Sequence, residues 1–258
     1  MDGLILAAGC GSRLGTLAPK CLAEVGGRPL LQIQLDLLRQ GGAENVTIVV
    51  GYREEEIRAA AFGDVSFVFN DRFAETNSLY SFYLARSAVK DDLLVLNSDV
   101  LFPVELLRRV LEVDGSALAF DSGSGDDEEH MKVCLREGRL VRMSKELPPA
   151  LTDGENVGLL HLTAATARAS FDAAAALVRR GHDREWLAQA VSAAAGAHPI
   201  RGVDIAGLPW VEIDYPEDLA VARAEIWPAI ESLEFATPRS PRSGSVWSTS
   251  EAETAVAG

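Results

Sequence analysis

Apolar runs of strand length alternate with helix-period segments through the first half of the chain. Gly3–Ala7 reads as a buried strand, a short continuous apolar run that suits a strand covered on both faces. Pro29–Gln40 predicts an amphipathic helix with Leu30, Ile33, Leu37 and Leu38 on one face. Pro29 suits a first helical turn, and Gly41-Gly42 supplies the stop. The alternation continues as strand Val46–Val50, helix Glu54–Ala61, strand Val65–Phe69, helix Leu79–Ser87, strand Leu93–Leu96 and helix Pro103–Leu111. Fully apolar strands separated by helices predict a parallel sheet covered on both faces.

The pattern changes after residue 115. Ser116–Phe120 and Met131–Leu135 read as strands flanking the polar run Asp121–His130, and Leu140–Ser144 and Val157–Leu162 as further strands. Ala-rich helices over Ala164–Arg180 and Arg184–Ala195 follow, then a strand near His198–Arg201, a short strand Trp210–Ile213 and a helix Tyr215–Trp227. From Ala236 onward the chain is rich in Ser, Thr, Pro and Gly without periodicity, which predicts a disordered tail. The expected architecture is α/β, a mixed, mostly parallel central sheet flanked by helices. Residues 1–235 form one domain and 236–258 the tail.

Composition narrows the partners. With 24 Lys+Arg against 38 Asp+Glu, a net charge of −14 argues against nucleic acid or an anionic membrane as the main partner. Four of the basic residues are lysines: Lys20, Lys90, Lys132 and Lys145. Cys10, Cys21 and Cys134 are odd in number and lack CxxC spacing, so neither a disulfide framework nor a zinc site is indicated. No apolar run approaches the roughly 20 residues of a membrane span, and Leu4–Ala8 is too short for a signal segment. A cytoplasmic location is expected, and a homodimer is left open.

The stretch LILAAGCGSRLGTLAPK carries the most chemistry. A buried strand ends in small residues, followed by Gly9, Gly11, Ser12, Arg13 and then Lys20. Small residues after a strand let backbone N–H groups approach a phosphate chain. A GxGxxG fingerprint starting at Gly9 would need glycine where Leu14 stands, and no Walker GKS or GKT is present. Arg13 and Lys20 are instead carried by the loop, so two cations can fold over a polyphosphate held by the backbone.

This stretch, extended through PKCLAEVGGRPLL, resembles the nucleotidyltransferases that join a nucleoside triphosphate to a phosphorylated small molecule. FNDRFAETNSLYSFYLA (69–85), LNSDVLF (96–102) and WVEIDYPEDLAVAR (210–223) are similar to the bacterial phosphocholine and 2-aminoethylphosphonate cytidylyltransferases. The loop between Arg13 and Lys20 is several residues shorter than in many members. The resemblance implies a Rossmann-like (GT-A-like) fold, an NTP donor (CTP favoured), a small phosphorylated or phosphonate acceptor, Mg2+ and loss of pyrophosphate. It implies that the backbone of Leu6, Ala7, Ala8, Gly9, Gly11 and Ser12 cradles the nucleotide. Lys20 then steadies the α-phosphate, Arg13 holds the β- and γ-phosphates, and Asn77 and Ser81 sit on the base and ribose side.

Asp99 and Asp214 follow the apolar strands Leu93–Leu96 and Trp210–Ile213. Carboxyl ends of strands face the ligand crevice in open α/β sheets. Two carboxylates meeting a phosphate suit Mg2+, and the resemblance assigns that role to both. Plain helix capping is the alternative for each, as it is for Asn77. Lys132 and Lys145 resemble acceptor-side positions, with solvated edge-strand lysines as the alternative. Strand alternation puts Glu212 on the same face as Asp214 and Trp210, where Glu212 and Trp210 could receive a cationic acceptor head by charge and cation–π attraction; core packing is the alternative for Trp210.

An acceptor oxygen already anionic at pH 7 needs no general base. That fits four histidines (His130, His161, His182, His198) in no recognisable constellation. Transfer to a sugar-1-phosphate or cyclitol phosphate with another nucleotide is the nearest alternative. A cationic acceptor calls for acidic or aromatic lining, and a sugar for amide and hydroxyl lining. A metal-dependent glycosyltransferase would carry DxD where Asn97-Ser98-Asp99 stands. A non-catalytic nucleotide-sensing domain is the remaining reading.

Overall fold

The computed structural model describes residues 1–15, 18–124 and 129–236. Strand β1 (Asp2–Ala7) runs into the Gly-rich loop, and a hairpin of β2 (Glu24–Val25) and β3 (Arg28–Pro29) follows. Next come α1 (Leu30–Gln40), β4 (Asn45–Val50), α2 (Glu54–Ala60), β5 (Val65–Phe69), α3 (Ser78–Leu84), β6 (Leu93–Asn97), β7 (Val100–Leu101) and α4 (Val104–Leu111). The second half supplies β8 (Ser116–Asp121), β9 (Lys132–Arg136), β10 (Arg139–Ser144), β11 (Gly154–Leu162), α5 (Ala164–Arg179) and α6 (Leu187–Ala195). The described chain ends with β12 (Ile200–Asp204), β13 (Val211–Glu212), α7 (Pro216–Val221) and α8 (Trp227–Ala236).

Nine strands form one mixed sheet in the order β5-β4-β1-β6-β11-β8-β12-β10-β9. The first four pair in parallel, as their apolar runs and intervening helices predict. From β6 onward the pairings are antiparallel except β12 with β8. Strand β9 also pairs with β11, so the far half of the sheet curls back on itself.

Burial explains the unbroken apolar runs. Ile5 and Ala7 of β1 join a cluster with Leu30, Leu35 and Leu38 of α1 and Leu106 of α4. Leu4 and Leu6 point the other way, toward Leu79 and Phe82 of α3, Phe171 of α5 and Val191 of α6. Phe82 stacks on Phe171 with ring centroids 4.1 Å apart, tying α3 to α5. Both faces of β1 are therefore core, and its open carboxyl end is where backbone can meet a ligand.

Two departures from the sequence reading have physical causes. The hairpin strands β2 and β3 and the strand β7, which pairs with the expected β13, are two residues long, too short to show a period. The final helix was expected to stop at Trp227, before Pro228. A π-helical segment over Ala222–Ile226 instead precedes the proline, and α8 continues to Ala236. The widened turn accommodates a residue that has no N–H to donate. The expected tail beyond this helix lies outside the described residues, as does most of the acidic run that follows Ser124.

The C-terminal helices close over the β2–β3 turn. Arg223 donates to the Glu24 carbonyl at 2.8 Å, and the Trp227 ring lies directly over Gly26. Gly26 has φ +61°, and a Cβ there would run into that ring. We expect Gly26→Ala to destabilise the fold by about 1–3 kcal/mol through overpacking and backbone strain. Urea unfolding of the variant checks this, and an unchanged midpoint would contradict the packing described.

Candidate active site

A cavity of about 890 Å³ opens at the carboxyl ends of β1 and β6. Its floor is the loop after β1, with Leu6, Ala7, Ala8, Gly9 and Gly11 among the lining residues. Gly11 adopts φ +56°, and a Cβ there would stand 2.7 Å from the Lys20 Cγ. Only glycine lets the Lys20 side chain lie against this turn. Lys20 begins a 3-10 turn (Lys20–Leu22) immediately after Pro19, which fixes its direction into the cavity.

Acidic groups meet this lysine from two distant segments. Antiparallel pairing sets Glu212 of β13 opposite Val100 of β7, and the Ile213 N–H donates to the Asp99 carbonyl at 2.8 Å. Carboxylate oxygens of Asp99, Glu212 and Asp214 consequently all lie within 4.8 Å of one another. The Lys20 ammonium stands 3.4 Å from Asp99 Oδ2 and hydrogen-bonds Asp214 Oδ1. Arg13 Nη1 approaches Asp214 Oδ2 at 3.6 Å and Glu129 Oε2 at 2.9 Å.

Neither aspartate is spent on helix capping. Pro103 occupies the N-cap of α4, and Tyr215 that of α7. Asp218 does the work at α7, its Oδ2 accepting from the Asp214 N–H at 2.9 Å and the Tyr215 N–H at 2.7 Å. The Asp214 side chain is thereby left to face Lys20 and Arg13.

Glu212 and Asp99 hold their protons more tightly in this cluster than in water. Burial, and then the charges of Asp99 and Asp214, push Glu212 up to about 8. Burial also raises Asp99, against the opposing pull of Lys20. For Lys20, burial acts downward, but Asp99 and then Asp214 outweigh it and hold the ammonium above its ordinary value. The neighbouring Cys21 thiol is driven up to about 12, chiefly by burial, and stays protonated. An all-oxygen, hard-donor set of this kind fits a small divalent cation such as Mg2+.

The other sequence-derived residues divide. Asn77, Ser81, Lys145 and Trp210 line the same cavity. Asn77 sits at the N-cap of α3 without a side-chain cap bond; its amide donates to the Arg184 carbonyl at 2.8 Å. The buried Ser81 hydroxyl accepts from the Asn70 amide at 3.1 Å. Trp210 Nε1 donates to Asp121 Oδ2 at 2.9 Å, so this ring is part core and part cavity wall. Lys132 is a correction. Pairing of β9 with β11 buries it, and its ammonium donates to the Lys145 carbonyl at 3.1 Å rather than lining the cavity. Glu212 stands beside Asp214 in the acidic cluster and lines the cavity, on the shared face that strand alternation predicts. The Ser12 side chain lies outside what is described.

Several lining residues escaped the sequence reading. Glu129 and Trp186 flank the expected Lys145, the carboxylate at 3.7 Å and the ring centre at 4.9 Å from its ammonium. Glu155, buried on β11, stands 3.0 Å from His130 Nδ1. These residues come from loops and from the curled half of the sheet, where no local pattern marks them.

A family model for the MobA-like NTP transferase domain matches residues 3–234. The chain is 33% identical over 235 residues to the CMP-5'-(3-aminopropyl)phosphonate synthase of Streptomyces rubellomurinus, covering 83% of this chain and 37% of that protein. It is 35% identical over 107 residues to a choline-phosphate cytidylyltransferase of Streptococcus pneumoniae, with 40% of this chain and 46% of the relative covered. The bifunctional IPC transferase and DIPP synthase of Rubrobacter xylanophilus is 32% identical over 228 residues, with 84% and 50% covered. The chain thus spans half or less of the length of these relatives. Among solved structures, the inositol-1-phosphate CTP transferase from T. maritima superimposes with a TM-score of 0.73 at 22% identity, covering 90% of this chain and 96% of that one. At that identity the likeness is one of fold. Among the described residues no helix is long and apolar enough to cross a membrane.

The raised proton affinity of Glu212 has a consequence for stability. Between about pH 5 and about pH 8 the folded chain retains a proton that the unfolded chain has lost, so this residue makes metal-free stability fall as pH rises. We expect Glu212→Gln to flatten that slope and to exceed the wild type in stability near pH 8.5. Urea midpoints in EDTA at pH 5.5 and 8.5 measure it; parallel pH profiles for the two proteins would contradict the described cluster.

Proposed function

The chain belongs to the MobA-like NTP transferase domain family, and we propose that it is a nucleotidyltransferase joining CTP to a small phosphate monoester or phosphonate. The observation that carries this reading is Lys20. Its ammonium sits on the Gly-rich loop between Asp99 and Asp214, at the base of one cavity. A loop of small residues meets phosphates through backbone N–H groups. Arg13 and Lys20 supply local positive charge at the loop, against a net charge of −14.

In the proposed reaction an anionic oxygen of the acceptor forms a bond to the α-phosphorus of CTP. The bond from that phosphorus to the bridging oxygen breaks in line, and pyrophosphate leaves with the electron pair. No proton moves, so the step calls for no general base. Lys20 follows the charge on the α-phosphate, and Arg13 holds the departing phosphates. Positioning and charge neutralisation carry the rate. Asp99 and Asp214, with Glu212 alongside, would hold Mg2+, which when bound neutralises charge on the phosphate oxygens.

Arg13, Lys20 and Lys145 are each already held by carboxylates, namely Glu129, Asp99 and Asp214. Substrate phosphates replace these partners, so the cations arrive oriented. The cavity is also lined by Trp186, Trp210, Asp121, Glu129 and Glu155. Acidic and aromatic lining favours an acceptor with a cationic head over a sugar phosphate. The names of the cytidylyltransferase relatives support the same choice of CTP and of a phosphonate or phosphocholine-like acceptor.

A pyrophosphate-release screen with Mg2+ tests this, crossing CTP, UTP, ATP and GTP with phosphocholine, 2-aminoethylphosphonate, inositol phosphate and sugar-1-phosphates. We expect turnover with CTP and a cationic acceptor, reduced on the order of 10²-fold or more in kcat by Lys20→Ala. Failure of every pair would overturn the reading, and an unaffected Lys20→Ala would remove this lysine from the chemistry.

A further inference from the structure

Gln34 is wholly buried in α1, at 0% exposure. It falls four residues after Leu30 and four before Leu38, within the apolar stripe of the helix. Its Nε2 donates to the Asn97 carbonyl at 2.8 Å and to the Val100 carbonyl at 2.9 Å. Those two carbonyls bracket Ser98-Asp99, the turn joining β6 to β7. Gln34 Oε1 accepts from no described group. Flipping the amide would point this oxygen at two carbonyl oxygens, so the donors fix its orientation.

A leucine or methionine here would fill the core without stranding a buried oxygen. Core packing alone therefore does not account for a glutamine. The turn it grips is under load, because Asp99 must be held against Glu212 and Asp214, both like-charged neighbours. On its other side the turn is secured by the Ile213 N–H bond to the Asp99 carbonyl. Strand β7 is only two residues long and cannot hold the turn alone.

We infer that Gln34 is a positioning residue that pins the backbone on both sides of Asp99 and so aims its carboxylate at Lys20 and the acidic cluster. The consequence for catalysis rests on the proposed reaction; the consequence for cation binding does not. Loss of the two donors lets repulsion among the carboxylates swing the turn away from Asp214.

The test compares the full chain with Gln34→Met, which keeps volume and removes both donors. Gln32→Met is the control, since Gln32 donates to the Ala60 carbonyl at 3.2 Å away from the cluster. Mn2+ affinity is read by electron paramagnetic resonance, and kcat and KM for CTP by pyrophosphate release. We expect Gln34→Met to weaken Mn2+ binding and lower kcat on the order of 10-fold or more, the scale of a lost supporting bond to a metal ligand. KM for CTP should change little, because the Gly-rich loop is untouched, and Gln32→Met should match the wild type. Wild-type Mn2+ affinity in a folded Gln34→Met, even with a lowered melting temperature, would overturn the inference. Should that variant not fold, Gln34→His retains one donor; weakened Mn2+ binding is expected, and wild-type affinity overturns the inference. A wild type that binds no Mn2+ also overturns it. Weakened binding in a chain that releases no pyrophosphate removes the proposed reaction and leaves this inference standing.

Discussion

The convergence of Asp99, Glu212 and Asp214 on Lys20 is the constraint to which the rest of the site answers. Three carboxylates within 4.8 Å repel one another, and burial aggravates the repulsion. One ammonium offsets part of it, standing against two of the three acids. The remainder is borne by backbone geometry and by protonation. In the proposed reaction this unfavourable cluster is one half of a larger arrangement, which cations on the carboxylates and phosphates on Lys20 and Arg13 would complete.

The fold supplies that geometry from several directions. Parallel pairing of β1 with β6, in register from Asp2 with Leu93 to Leu6 with Asn97, puts the Gly-rich loop beside the Asp99 turn. The β7–β13 ribbon then brings Glu212 and Asp214 to the same place from the far end of the chain. Asp218 relieves Asp214 of helix capping, and Gln34 grips the turn from the core side. Behind them, Trp227 and Arg223 press the C-terminal helices onto the hairpin that follows Lys20. Each contact is local, yet together they tie both ends of the described chain to one cavity.

Much of this was legible in the sequence, and what was not has identifiable causes. The unbroken apolar runs of β1, β4 and β6 marked a parallel sheet buried on both faces, and the loop after β1 marked one wall of the cavity. The lining position of Asp99 and Asp214 followed from their places after apolar strands. Lys132 was misjudged because the β9–β11 pairing that buries it is non-local and leaves no periodic trace. Glu212 was legible as a neighbour of Asp214 by strand alternation, but its approach to Asp99 was not, since the two-residue β7–β13 ribbon sets it. Gln34 carried a readable signal, a lone amide at spacing i+4 in a leucine stripe, but only the Asn97 and Val100 carbonyls give that signal a meaning. Glu129, Glu155 and Trp186 reach the cavity from loops and strand ends, where chain pattern says nothing of direction.

In the proposed function Lys20 is a placeholder in the acidic cluster as well as a phosphate ligand. A manganese titration of the nucleotide-free chain, comparing the wild type with Lys20→Met and with an Asp99→Asn, Asp214→Asn double variant, tests this most directly. Removing the ammonium frees both aspartates, so Lys20→Met should bind Mn2+ more tightly than the wild type, while the double variant should lose the site. Mn2+ affinity indifferent to both changes, or weakened by Lys20→Met, would contradict it.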